Sequence, residues 1–182
     1  MRIGIVGVMY YIISLNPDRE LDRFGSCSGY AETYYSSKSV ELAKKLATDH
    51  EVTFFTSLDT PVPQRILKLH KINTKYITYE NRPVGTIVKF GGTEEGHVIG
   101  SGASNSNVLE TLKLNEKAIF NNLDVMIMDD FYPEIIKLCK KHKLKMYIQL
   151  EKDEELNLDD DEYRIAKRIS IISVDNYKEV LK

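Results

Sequence analysis

Short apolar runs recur along this chain with room for a helix between most of them, and that alternation constrains the fold more than any other feature. The runs lie at residues 2–6, 51–56, 124–128, 145–150 and 170–174. Each has the length of a strand and is rich in Val, Ile, Phe or Met, as expected of strands buried on both faces. Helical stretches stand between them. Val40, Ala43 and Ala47 share one stripe, with Leu42 and Leu46 beside it, and Ile135, Ile136, Leu138 and Cys139 follow Pro133. Strands alternating with one-sided helices predict an α/β fold, a doubly wound, mostly parallel sheet with helices on both faces. A length of 182 residues fits a single Rossmann-like domain over residues 1–182. A chain of that size hides ~70% of its unfolded surface, so a true core is expected.

The connections are less regular. From residue 9 to residue 28 the pattern breaks, with turn chemistry at Asn16-Pro17-Asp18 and a small-residue loop at Phe24-Gly25-Ser26-Cys27-Ser28-Gly29. Thr60-Pro61 reads as a helix cap followed by proline at the first helical position. Residues 75–79 and 86–90 are two further strand candidates, split by Asn81-Arg82-Pro83. Residues 91–106 are rich in Gly, Ser and Asn and read as a mobile loop or a ligand loop. Asp175 is placed to cap a last helix.

The formal net charge of -2 gives no reason to expect nucleic acid or an anionic membrane as a partner. Cys27 and Cys139 stand far apart, with neither a disulfide framework nor zinc spacing. No run approaches the ~20 apolar residues that span a bilayer, and the first residues lack the pattern of a secretory leader. A cytoplasmic protein without a transmembrane segment is expected.

In open parallel sheets ligands sit beyond the carboxyl ends of the strands, where strand order reverses. Glycines allow close backbone approach, and a helix start favours an anion. Gly25, Ser26, Ser28 and Gly29, ahead of a helix, therefore suit a phosphate or sugar hydroxyls; the plainer reading is a flexible connection. Asp129 and Asp130 end a strand at the same edge and suit sugar hydroxyls or a cation; the plainer reading is that one caps the helix at Pro133 and the other is solvated. The expectation is that these six residues converge there as a substrate site, with the strands at 2–6 and 124–128 flanking it. Of the histidines, His50, His70 and His142 lie near helix ends, and only His97 falls in a segment that can reach a ligand. The run Asp159-Asp160-Asp161-Glu162 lacks the spacing of a calcium loop and reads as a helix start. No metal site and no catalytic residue is assigned.

Three stretches resemble the N-terminal Rossmann domain of the two-domain GT-B glycosyltransferases, nearest to the retaining family four. They are Arg2-Ile3-Gly4-Ile5-Val6 with Met9-Tyr10-Tyr11, then Gly29-Tyr30-Ala31-Glu32-Thr33 with His50-Glu51-Val52-Thr53-Phe54-Phe55-Thr56, and Ile171-Ile172-Ser173-Val174 with Tyr177-Lys178. That resemblance implies the acceptor-side half of an enzyme that moves sugar from a nucleotide-sugar donor to a sugar acceptor. It further implies that the chain is inactive without a C-terminal domain or partner subunit, and that no cofactor is bound beyond that donor. A second resemblance is to the ribokinase-like (PfkB) sugar and nucleoside kinases, carried by residues 69–77, Val84-Gly85-Thr86-Ile87-Val88 and residues 169–177. Against that family, the substrate-binding Gly-Gly is not in place and Ile12 holds the position of an Asp. A third alternative is a non-catalytic Rossmann module. Two features separate the first two readings. A glycosyltransferase half ending near residue 180 leaves a complete sheet, whereas a kinase portion ending there leaves an apolar edge. A separate sheet built from residues 8–24 marks the kinase.

Overall fold

The computed structural model describes residues 1–17, 29–81, 83–90, 96–99, 106–151, 155–156 and 158–181. In chain order the elements are β1 (Arg2–Val6), β2 (Tyr10–Pro17), β3 (Gly29–Ser36), α1 (Lys38–Leu46), β4 (Glu51–Phe55), β5 (Ser57–Leu58), α2 (Val62–Leu69) and β6 (Thr78–Tyr79). They continue with β7 (Thr86–Phe90), β8 (Gly96–Ile99), α3 (Ser106–Leu114), α4 (Glu116–Phe120), β9 (Val125–Met128) and α5 (Pro133–Lys141). The last are β10 (Lys145–Gln149), α6 (Asp160–Ala166), β11 (Ser170–Ile172) and α7 (Tyr177–Val180).

The five anticipated strands form one parallel sheet in the order β11-β10-β9-β1-β4. Successive side chains of a strand leave on opposite faces. Ile3, Ile5, Val52, Phe54, Val125, Ile127 and Tyr147 therefore pack with Val40, Leu42, Ala43 and Leu46 of α1, Leu67 of α2, and Leu181 just after α7. Val6, Phe55, Met126, Met128 and Ile148 pack on the other side with α3, α4 and α5. The sheet is thus covered on both faces, as the runs of apolar residues require. Among the described residues no helix is long and apolar enough to cross a membrane.

A second sheet corrects the reading of residues 9–28 as loop over residues 10–17, and residues 18–28 lie outside the described residues. Strands β2 and β3, eight residues each, pair antiparallel from Tyr10↔Ser36 to Pro17↔Gly29. Strand β7 lies parallel to β2 on its other side, and β8 pairs antiparallel with β7, giving the order β3-β2-β7-β8. Part of the supposed glycine-rich loop at 91–106 is therefore the strand β8, and its residues 91–95 and 100–105 lie outside the described residues. The candidate strand at 75–79 shrinks to Thr78–Tyr79, which pairs with β5.

The helix starts follow local chemistry. Ser37 caps α1 by accepting from the Val40 nitrogen at 3.2 Å. Asp159 and Glu162 close a reciprocal capping box on α6, which accounts for the acidic run. The last helix is capped at Asn176, not at Asp175, and the Ser173 hydroxyl accepts from both their nitrogens.

Candidate functional site

Strand β1 pairs with β4 on one side and β9 on the other, so the chain reverses direction across the sheet between β1 and β9. The register Val6↔Met128 sets Gly7 and Asp129 side by side just beyond the strand ends. The Asp129 nitrogen donates to the Val6 carbonyl at 3.1 Å, and the Gly7 nitrogen to the Phe55 carbonyl at 3.2 Å.

The Asp129 carboxylate turns inward. Its Oδ2 accepts from the Val8 nitrogen at 2.7 Å and from the Ser39 hydroxyl at 3.3 Å. Its Oδ1 accepts from the Tyr132 hydroxyl at 2.8 Å. The residue is 6% exposed. Burial pushes its carboxyl above the ordinary aspartate value, and the bonds from Val8 and Tyr132 and the charge of Lys38 oppose the rise. Gly7 makes room for this packing: a Cβ there would lie 2.5 Å from the Ser39 Oγ and 3.2 Å from Asp129 Oδ2.

Above Asp129 opens a cavity of about 820 Å³, between the carboxyl edge of the parallel sheet and the inner face of the second sheet. The pairings Ile12↔Tyr34 and Ile12↔Ile87 put those three side chains on one face, and Tyr10 and Lys89 share it. The start of α1 forms the floor, through Ser36, Ser37, Lys38 and Glu41. Glu41 accepts from the Ser36 hydroxyl and from Lys44 Nζ, the latter at 2.9 Å. Burial works to raise its pKa, but these two partners outweigh burial and hold the carboxyl below the usual glutamate value. The third wall carries Asp130, Tyr132, Leu150 and Glu155.

Of the residues expected to form the site, Asp129 and Asp130 stand together at the carboxyl edge and line the cavity. Neither caps α5, whose cap is Tyr132 without a side-chain bond; Asp130 instead accepts from the Phe131 nitrogen at 2.7 Å. Gly29 opens β3 at the end opposite Ser36, about 23 Å along the strand at ~3.3 Å per residue, and is exposed. Gly25, Ser26 and Ser28 lie outside the described residues. His97 belongs to β8, opposite Val88. His142 ends α5, bonds Glu116 at 2.6 Å and stacks on Phe120, away from the cavity. Among the described residues no group of three or more His, Cys, Asp or Glu side chains is arranged to hold a metal ion.

Sequence reasoning missed the residues from the second sheet and from the start of α1. A signal for the latter was present, since Ser37 three residues ahead of Val40 is a helix-cap pattern. For the lid strands the signal was weak, because β3 is exposed from Gly29 to Tyr34 and carries no in–out alternation of apolar residues.

No family model and no curated protein matches the chain in sequence. Solved structures do match it in shape. Arabidopsis thaliana ribokinase complexed with ribose and ATP superposes with a TM-score of 0.60 at 16% identity, covering 81% of this chain and 53% of that one. The 2-dehydro-3-deoxygluconokinase of Thermotoga maritima gives 0.64 at 15% identity, over 84% and 51%. The PfkB protein of Polaromonas sp. JS666 gives 0.62 at 12% identity, over 91% and 61%. The chain has the ribokinase-type fold. It spans about half the length of the first two of these structures.

This overturns the glycosyltransferase expectation, and with it the GT-B and nucleotide-sugar readings. The separate sheet expected of the ribokinase-type alternative is present, and residues 10–17 form its second strand in sheet order. Gly29-Tyr30-Ala31-Glu32-Thr33, read as a glycosyltransferase loop, is the first half of an exposed strand. The resemblance at residues 50–56 arises because a helix followed by a buried parallel strand has similar chemistry in both folds.

Proposed function

We propose that this chain is the sugar-holding portion of a ribokinase-type sugar kinase and takes a small polyhydroxylated ligand under the lid formed by β2, β3 and β7. The observation that carries this reading is the cavity of about 820 Å³ between that lid and the point where strand order reverses. Its size lies within the ~300–1,000 Å³ usual for small-molecule sites. Tyr and Ile side chains offer faces to a sugar ring, and Glu41, Asp130 and Lys89 offer partners to its hydroxyls. Phosphoryl transfer needs the donor phosphates held in line with the attacking hydroxyl. We assign that task to a partner half, further polypeptide or a separate chain, that packs against β11. Ile171 on β11 is 54% exposed, which suits such a contact.

The test is calorimetric titration of the purified chain with D-ribose, D-glucose, D-fructose and 2-dehydro-3-deoxygluconate. Saturable binding of at least one neutral sugar is expected, without ATP-dependent phosphorylation by the chain alone. The cavity wall sets two lysines, Lys38 and Lys89, against four carboxylates, Glu41, Asp129, Asp130 and Glu155. The acidic sugar is therefore expected to bind more weakly than the neutral ones. Absence of binding across the whole panel would end this reading.

A further inference from the structure

Asp129 stands at the mouth of the crevice between β1 and β9, the position where a ligand is expected in an open parallel sheet. Its surroundings point to another task. The two carboxylate oxygens already accept three hydrogen bonds, from the Val8 nitrogen, the Ser39 hydroxyl and the Tyr132 hydroxyl. Only 6% of the residue is exposed, so little of it is left for a ligand to touch. The three donors belong to three separate pieces of the site: the exit of β1, the first turn of α1 and the cap of α5. They are far apart in sequence, Val8 lying 121 residues from Asp129 and Ser39 lying 90. The close approach of Gly7 to Ser39 and Asp129 keeps these pieces in contact.

We propose that Asp129 is a positioning residue, a buried clasp that fixes β1, α1 and Tyr132 against one another, while Tyr132 touches the ligand in the cavity. This rests on the sugar-binding reading above. Tyr132 lines the cavity and carries its hydroxyl on Asp129 Oδ1. Removing either end of that bond lets the ring leave its place, so the two residues act on the ligand as one unit.

A double-mutant cycle tests this, using calorimetric titration with the tightest-binding sugar of the panel above. Asp129→Asn and Tyr132→Phe are each expected to weaken binding about tenfold, the scale of one hydrogen bond. The double variant is expected to bind no more weakly than the poorer single variant. Thermal midpoints measured alongside separate loss of position from loss of fold, and Tyr132→Phe is expected to keep its midpoint within a few degrees. Losses that multiply in the double variant would show Asp129 touching the ligand directly and overturn the proposal. If Asp129→Asn does not fold, Tyr132→Phe decides alone: unchanged affinity overturns the proposal, and a tenfold loss in a folded protein supports it. Failure of the wild-type chain to bind any sugar of the panel removes the functional reading itself; wild-type binding that Tyr132→Phe leaves intact removes only the role given to Asp129.

Discussion

At the residue scale, the fold turns on a few positions where no other side chain fits. A methyl group on Gly7 would meet the Ser39 Oγ at 2.5 Å, inside any permitted contact. Gly7→Ala is expected to lower stability by ~1–3 kcal/mol, the usual cost of overpacking, and urea unfolding of the two proteins measures it. An unchanged midpoint would mean that α1 can step back without loss. At the opposite edge of the sheet, Asp124 accepts from the Arg2 backbone nitrogen at 2.8 Å and from its guanidinium at 2.7 Å. The Arg2 bonds hold the Asp124 carboxyl down at about 2, below its ordinary value. An acid whose pKa is lower folded than unfolded adds stability above the unfolded value and loses it as pH falls toward the folded one. The contribution of Asp124 is therefore present above pH ~4 and fades toward pH 2. Urea midpoints at pH 6 and pH 2.5 should lie closer together in Asp124→Asn than in the wild type, and an equal gap in both proteins would refute the assignment. Asp129 works in the other direction, because burial raises its pKa and the ionised form is the one that folding disfavours.

At the element scale, the two sheets differ in what holds them. Strand β9 is buried along its whole length, whereas β3 is exposed from Gly29 to Tyr34 and rests mainly on its pairing with β2. Strands with little buried apolar surface open at lower cost than core strands. Hydrogen exchange at residues 30–34 is expected to run orders of magnitude faster than at residues 125–128. Equal protection would show that lid and core open as one unit. The same contrast explains which elements were legible in the sequence. The runs at 2–6 and 124–128 could be placed because, past the charged Arg2 and Asp124 at their starts, a strand buried on both faces carries few polar residues. Ile169 to Val174 was legible instead as a β-branched run, since β11 is exposed at Ser170 and Ile171. Strand β3 was hidden because Tyr30, Glu32 and Tyr34 alternate with Ala31, Thr33 and Tyr35, a pattern with no apolar side. The helices α3 and α4 were not legible, since a glycine- and serine-rich stretch precedes them and carries loop chemistry. The place of Asp129 and Asp130 at the carboxyl edge was legible because the topology rule for parallel sheets needs only the strand ends. The lid wall could not be found without the second sheet. The partners of Asp129 could not be found either, because bonds to Val8 and Ser39 join segments that no local pattern connects.

At the scale of the whole molecule, β11 is the outermost strand of the parallel sheet among the described residues, and its Ile171 is exposed. An unpaired strand edge with apolar side chains invites pairing with another chain. Sedimentation velocity is expected to show self-association that rises with concentration and is reduced by Ile171→Lys. A wild-type protein that stays monomeric over the same range would show that this edge is already blunted. The order of strands across the sheet has a further consequence, for how the protein is made. Of the strands in this sheet, β1 leaves the ribosome before the others, and one of its two neighbours, β4, follows within about fifty residues. Its other neighbour, β9, pairs Met128 with Val6 and is synthesised more than a hundred residues later. At ~5–20 residues per second, synthesis alone keeps β1 waiting for several seconds with one flank open. The bond from the Val8 nitrogen to Asp129 closes across 121 residues, so the ligand pocket is assembled late. Such distant contacts slow folding, because the chain must lose freedom before the contact repays it. A nascent chain halted before residue 125 therefore already holds all four strands of the second sheet but an unfinished pocket, and holding factors have most to protect at that stage.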